Sequence, residues 1–265
     1  MATNTSKANK RRRRRVRRTR RYKARIGGST SVNKDRTYIF IVSYRARPPN
    51  EIRRVELPHM IKTIRECFTA RGLKFKIIVV EQNNDHPFNR ARLKNIGFLE
   101  GEKKYDIPKV YLHINADYYI DTSKEFPKEL EEFNGNGVLD IYSIDKDDKN
   151  GYVGGCCCFN SDTFKKVNGF PNNLHGWGGC DIAFRYRVDT VGVPYIRNSI
   201  TNNGWIVASD VAPRNGSKNP DNIEKSNGDI MSNGLNTCVY TNDGPGEFND
   251  ETQHVYHALY SYPYE

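Results

Sequence analysis

The chain has 265 residues, enough for one sizeable core, and its hydrophobic fraction of 37% suits a loop-rich α/β domain better than a helical bundle. Its net charge of +11 is an appendage: thirteen of the 42 basic residues lie in residues 1–28, which hold no acid, and the rest of the chain carries 29 basic against 31 acidic residues. No run approaches the roughly 20 apolar residues of a bilayer span, and residues 1–30 lack the apolar core of a secretory leader; the expectation is no transmembrane segment and a cytoplasmic or nuclear location, not secretion.

Residues 1–28 read as a basic, disordered arm, because a run of like charges with few apolar side chains cannot offset the entropy of ordering. Its basic stretch, residues 7–25, suits nucleic acid or an anionic surface, and equally a solubilising tail or a nuclear-type address. Residues 29–36 are a polar linker, and 37–265 the globular domain. Thr37 to Ser43 is a nearly continuous apolar run, the pattern of a strand buried on both faces. Between Glu51 and Arg71, Leu57, Ile61, Ile64 and Phe68 recur at helical spacing, and Gly72 closes that helix. Phe75–Val80 is a second buried strand, which makes a βαβ unit and a parallel sheet. A helix over 89–98, a strand over 109–114 and a fourth strand over 137–142 follow.

Beyond them the chain is rich in Gly and Asn, with a mobile loop expected over 208–230 and a terminal strand over 252–262 carrying the ordinary histidines His254 and His257. The six cysteines, including the consecutive Cys156, Cys157 and Cys158, lack the paired spacing of a zinc site and read as reduced thiols.

In an open α/β sheet, ligands settle beyond the C-terminal ends of the parallel strands. Here those ends carry Ser43-Tyr-Arg-Ala-Arg47, Glu81-Gln-Asn-Asn-Asp85 and Asn115-Ala-Asp117. Arginine forks suit phosphate oxygens, and a strand-end carboxylate suits a divalent cation shared with a diphosphate, so the crevice points to a nucleotide-type ligand. Strand-end Asp residues taken singly are commonly loop caps; the coincidence of three strand ends argues for more. No Walker or Rossmann glycine fingerprint occurs. Gly176-Trp-Gly-Gly-Cys-Asp181 reads as a glycine turn presenting one aromatic, able to stack on a sugar, and one carboxylate, able to take a hydroxyl proton; a buried Trp beside a helix N-cap is the plainer alternative.

Five ordered segments resemble the β-1,4-galactosyltransferase family. They are Glu81-Gln through Phe88-Asn-Arg-Ala91 to Asn95-Ile-Gly-Phe98; Asn115-Ala-Asp117; Tyr152-Val-Gly-Gly155 with Val167-Asn-Gly-Phe170; Gly176 to Asp181; and Met231-Ser-Asn-Gly-Leu-Asn236. The resemblance implies a GT-A fold: a Rossmann-like, mixed but mostly parallel sheet flanked by helices, in a single domain with a loop-rich C-terminal half. It also implies a UDP-sugar donor, Mn²⁺ (or Mg²⁺), and inverting transfer of a hexose to a sugar hydroxyl on a glycan or glycoprotein. Carried over by position, Tyr44, Arg45, Arg47, Phe88, Arg90, Asn115 and Ala116 would surround the UDP, and Asp117 would bind the metal. Tyr152, Gly154, Gly155, Trp177, Gly178 and Gly179 would line the donor and acceptor sugars, and Asp181 would be the catalytic base.

This sequence departs from the family in having Asn115 for the first Asp of Asp-Val-Asp, and Cys180 and Ile182 for the acids flanking the base. The remaining metal ligands align with Val207 and Asp210, of which Asp210 can supply a hard oxygen. A cytosolic enzyme of this type suits a bacterium or a large DNA virus. The contrasting expectation is a catalytically weak glycan- or nucleotide-binding relative, tethered by its basic arm.

Overall fold

The computed structural model describes residues 35–45, 52–142, 153, 155–197, 204–209, 219–225, 228 and 230–263. The expected arm and nearly all of the expected linker lie outside them. Strand β1 (Thr37–Tyr44) is buried at all eight positions, as a central strand covered on both faces must be. Helix α1 (Arg53–Ala70) buries Leu57, Met60, Ile61, Ile64, Cys67 and Phe68, the stripe its spacing predicts. It ends where expected: Gly72 takes φ +63°, and Leu73 and Gly72 donate to the carbonyls of Phe68 and Thr69, a Schellman closure.

β2 (Lys74–Gln82) pairs parallel with β1, completing the βαβ unit. Helix α2 (Arg90–Lys104) starts on Asn89, whose side chain accepts from the Arg92 amide. β3 (Lys109–Asn115) then pairs parallel with the other edge of β1.

Later elements extend the sheet on both sides. β4 (Tyr118–Ile120) leaves it and pairs with β8 (Ile206–Ala208) as a small separate ribbon. After α3 (Lys128–Glu132) come β5 (Val138–Tyr142) and β6 (Cys156–Phe159), antiparallel to each other, with β6 antiparallel to β3. Helices α4 (Ser161–Lys166) and α5 (Cys180–Thr190) precede β7 (Tyr195–Arg197), and α6 (Pro220–Lys225) follows β8. β9 (Thr241–Pro245) and β10 (Val255–Ser261) close the other edge, giving the order β7-β5-β6-β3-β1-β2-β10-β9. This is the mixed, mostly parallel sheet the sequence implied. One expectation needs correction: the stretch 208–230 is not loop throughout, because Pro220–Lys225 is helical.

Alternation along β1 divides the core. Tyr38, Phe40 and Val42 pack with α1, while Ile39 and Ile41 pack with α2 and with Phe159, Phe164, Phe170 and Phe184. α2 lies close on the sheet because of Gly97, where a Cβ would stand 2.4 Å from Ile41 Cγ2 and 2.9 Å from Val80 Cγ2. The cysteine triplet follows the same alternation: Cys156 and Cys158 join one layer and Cys157 the other, and burial pushes all three thiols up.

His257 is buried in β10, where the Phe248 amide donates to its Nδ1 at 3.0 Å and its Nε2 lies 2.9 Å from Glu81 Oε2.

The far end of α2 is fastened by one carboxylate. Glu102 accepts from Lys165 at 2.5 Å, from the Ser161 and Tyr111 hydroxyls at 2.8 Å each, and pairs with Lys109 at 3.1 Å. Burial alone would raise its pKa, but these donors outweigh burial and bring it from 4.5 to about 2. A carboxylate lowered in the fold stabilises it above its unfolded pKa and loses that contribution as pH falls toward the folded value. Glu102→Gln is therefore expected to cost about 1–3 kcal/mol at neutral pH. Its deficit relative to the parent should close between pH 4.5 and about 2, as read by urea titration across that window.

Candidate active site

The C-terminal ends of β1, β2 and β3 lie side by side, with Tyr44 opposite Glu81 and Ser43 opposite Asn115. The starts of α2 and α5 meet over this edge. Arg90, at the first position of α2, donates to Asn115 Oδ1 at 3.2 Å and to Asp181 Oδ2 at 2.9 Å, and its own carbonyl accepts from Ser43 Oγ at 3.2 Å. Burial would lower the guanidinium pKa, but Asp181 first, then Cys180, Tyr118 and Asp117, raise it above its ordinary value. Asp181 is gripped from its other side by Lys94, whose Nζ lies 3.7 Å from Oδ1.

Asp117 follows β3 and faces a cavity of about 330 Å³ lined by Glu56, His59, Ala116, Asp117, Tyr118, Tyr119 and Ser209. Arg53, at the start of α1, joins its two carboxylates: it contacts Asp117 Oδ2 at 3.4 Å and forms an ion pair with Glu56. Glu56 Oε1 is buried without a hydrogen-bond partner. The β4–β8 ribbon brings the chain back to Asp117, with the Ser209 amide donating to the Asp117 carbonyl at 2.7 Å. An oxygen-rich site with an orphaned buried carboxylate oxygen, its two carboxylates only partly neutralised by one guanidinium, has the donor chemistry of a hard divalent cation.

The glycine turn adjoins this site through backbone bonds. Gly176, Gly178 and Gly179 have φ of +76°, +99° and +81°, a run that side chains with a Cβ rarely adopt. The Gly176 amide donates to the Phe88 carbonyl, and Asn222 donates to the carbonyls of His175 and Gly178. The turn holds Trp177 outward, 49% exposed, and delivers Asp181 into the first turn of α5.

Gly155 lies across the crevice: its carbonyl accepts from the Asn115 amide, and a Cβ there would fall 2.1 Å from the Tyr118 ring. The Val153 amide donates to the Asp181 carbonyl. Arg45 turns back to the His86 carbonyl at 2.7 Å. Tyr44 sits beneath the crevice, 1% exposed, its ring against His257 and Phe248.

Residues 5–118 match the N-terminal region of glycosyl transferase group 7, and residues 142–202 match a domain described as the N-terminal domain of galactosyltransferase. The chain belongs to the group 7, or β-1,4-galactosyltransferase, family. Among group 7 relatives it is 32% identical over 151 residues to β-1,4-galactosyltransferase 5 of Sus scrofa, covering 54% of this chain and 37% of that one. It is 33% identical over 147 residues to β-1,4-galactosyltransferase 4 of Homo sapiens, covering 53% and 41%. It thus spans well under half the length of these curated relatives. Its fold is that of the Drosophila β-1,4-galactosyltransferase 7 crystallised as a mutant with manganese, UDP-Gal and xylobiose, with a TM-score of 0.64 at 21% identity, covering 85% of this chain and 92% of that one.

The group 7 assignment corrects the expected compartment. The cytoplasmic or nuclear expectation rested on residues 1–30 holding no apolar run, whereas the matched relatives are animal β-1,4-galactosyltransferases, whose family works in the Golgi lumen. Among the described residues no helix is long and apolar enough to cross a membrane.

Asn95 and Asn168 of the group 7 segments, with the nearby Asn172, hold the fold together. Asn95 bonds the Phe170 carbonyl and amide and Asn172, Asn172 bonds Asn233 and the Gly234 carbonyl, and Asn168 bonds the Ile230 carbonyl and Asn236. These buried bonds tie the segment after α4 to α2 and to residues 230–236.

Of the expected site residues, Arg90, Asn115 and Asp181 are in direct contact, and Ala116 and Asp117 line the adjacent cavity. Gly155, Phe88 and Gly178 frame the crevice through the backbone bonds above, and Trp177 and Gly179 belong to the same glycine turn. Arg47, Tyr152, Gly154 and Asp210 lie outside the described residues, as does the arm proposed to meet polyanions. Sequence reading missed Lys94, Arg53, Glu56 and His59. Their one signal is charge on helices beside the motifs: Lys94 stands a turn after Arg90, and Arg53, Glu56 and His59 recur at intervals of three.

Proposed function

We propose that this chain is a metal-dependent hexosyltransferase that moves a hexose from a UDP-sugar to a sugar hydroxyl with inversion. The observation that carries the reading is the convergence of Arg90, Asn115 and Asp181 beside the Asp117 cavity, at the C-terminal edge of a parallel sheet. Arg45, Arg47 and Arg90 suit the diphosphate, with Tyr44, Phe88, Asn115 and Ala116 shaping the nucleotide pocket. Tyr152, Gly154, Gly155 and the Trp177–Gly179 turn line the sugars, an exposed indole being suited to stack on a pyranose face. The Drosophila relative was solved with UDP-Gal and xylobiose, which supports a glycan acceptor.

Mn²⁺ or Mg²⁺ would be held by Asp117, with Asp210 as a second oxygen donor, and would supply charge neutralisation for the departing UDP. In the transfer itself Asp181 takes the proton of the acceptor hydroxyl. That oxygen's electron pair forms the new bond to the anomeric carbon, and the bond to the diphosphate oxygen breaks with its pair leaving on UDP.

A thermal-shift series on the full chain tests the donor site. UDP at a hundredfold excess over its Kd contributes about 2.7 kcal/mol, or about 5–10 °C for a domain of this size. That shift is expected only with Mn²⁺ present. No shift from any UDP-sugar at millimolar concentration would refute the reading.

A further inference from the structure

Arg90 and Lys94 stand one helical turn apart on α2, so their side chains extend over the same face. Like charges at that spacing repel, yet both are directed to one carboxylate, Arg90 to Asp181 Oδ2 at 2.9 Å and Lys94 to Oδ1 at 3.7 Å. The two cations are not equivalent. Arg90 is 23% exposed in its side chain and opens on the crevice, whereas Lys94 is 2% exposed. The Lys94 ammonium lies 4.7 Å from the centroid of the Phe170 ring.

The other polar groups facing Lys94 come from every element around it: His113 on β3, Cys156 and Cys157 on β6, and Cys180 at the start of α5. None supplies a negative charge. Burial, and then Lys94 itself, pushes the His113 imidazole well below its ordinary range, so it is neutral. Burial raises the three thiols. Asp140, which also faces the triplet, is engaged by the Tyr195 hydroxyl at 2.5 Å. A buried ammonium needs a counter-charge, and among the described residues Asp181 is the carboxylate paired with Lys94.

We infer that Lys94 is a positioning residue for Asp181: it anchors Oδ1 from inside the core, leaving Oδ2 as the oxygen that receives the acceptor's proton once Arg90 turns to the diphosphate. The inference rests on the proposed function, in which Arg90 binds the nucleotide and Asp181 is the base. It explains how the carboxylate keeps its orientation after losing its surface partner. Anchored by one oxygen, Asp181 swings less about its side-chain bonds, and misplacement of a reacting group by about 1 Å can cost roughly a hundredfold in rate.

The test is a cycle of Lys94→Met, Asp181→Asn and the double variant, each assayed well below its Tm for kcat, donor KM and UDP affinity. Lys94→Met keeps the length and apolar stem and removes the charge. It is expected to lower kcat by about 10- to 100-fold and to leave donor KM and UDP affinity within about twofold. The double variant should be no slower than Asp181→Asn alone, since Lys94 acts through that carboxylate. Lys94→Arg, which restores a cation, should recover part of the lost rate and serves as the second probe if Lys94→Met folds poorly.

Wild-type kcat in Lys94→Met, with Asp181→Asn inactive, would overturn the inference and leave the base assignment standing. Losses that multiply in the double variant would also overturn it, because they would show a role independent of Asp181. A wild-type rate in Asp181→Asn would instead refute the base assignment on which the inference rests.

Discussion

Asp181→Asn is expected to abolish transfer, by about a thousandfold or more, while UDP still binds in a metal-dependent way. The substitution changes one heavy atom and keeps one side-chain oxygen able to accept from Arg90, so the crevice keeps its shape. What disappears is the ability to accept a proton, and a positioned general base contributes about 10²–10⁴ in rate. The consequence for the fold is smaller but has a definite sign. Arg90 and Lys94 both point at this carboxylate. Removing its charge leaves two cations facing each other a turn apart, so the Asn variant should also melt lower than the parent. Donor affinity by calorimetry, transfer by UDP release and Tm separate the three effects. A variant that transfers at the parental rate would exclude Asp181 as the base, whatever its Tm.

The elements that place this site differ in how far the sequence announces them. β1 and β2 are continuous apolar runs buried on both faces, and α1 shows its stripe and its closing glycine, so their order and parallel pairing could be read directly. The crevice followed, because parallel strands present their C-terminal ends together. The β4–β8 ribbon could not be read: each strand has three residues, and their pairing joins segments far apart in the chain, Tyr118 with Ala208. Helix Pro220–Lys225 opens on a proline amid Asn and Gly, a composition that reads as loop, and its Asn222 serves the glycine turn through the His175 and Gly178 carbonyls.

The same limit applies to the site. Asp117 and Asp181 stood out because each occupies a motif, at a strand end and after a glycine turn. Lys94 and Arg53 did not, since a charge on a helix ordinarily faces water. Only the packing shows that one is sealed against Phe170 and the other bridges Glu56 and Asp117.

Asp117→Ala should remove the metal dependence of UDP binding altogether, so that UDP stabilises the variant equally with and without Mn²⁺. Asp117 borders the cavity beneath the crevice and already meets a cation there, the Arg53 guanidinium at 3.4 Å. A site that attracts a guanidinium between two carboxylates has the charge to attract a divalent ion, and Glu56 Oε1 remains without a partner while Arg53 alone occupies it. Removing Asp117 takes one of the two carboxylates from the cavity and leaves Arg53 on Glu56. Charge at the cavity then shifts from net negative, two carboxylates against one guanidinium, to balanced, which disfavours a dication directly.

The fold should tolerate the change, because the Asp117 side chain is 21% exposed and its backbone carbonyl, not its carboxylate, holds the Ser209 amide in the ribbon. The expected loss is therefore in ligand response and not in Tm of the free protein. Paramagnetic broadening by Mn²⁺, measured with and without UDP, checks metal binding without any assay of transfer. If Asp117→Ala kept the parental Mn²⁺ affinity and the parental UDP shift, the cation would be held elsewhere, and the assignment of Asp117 would fail while that of Asp181 stood.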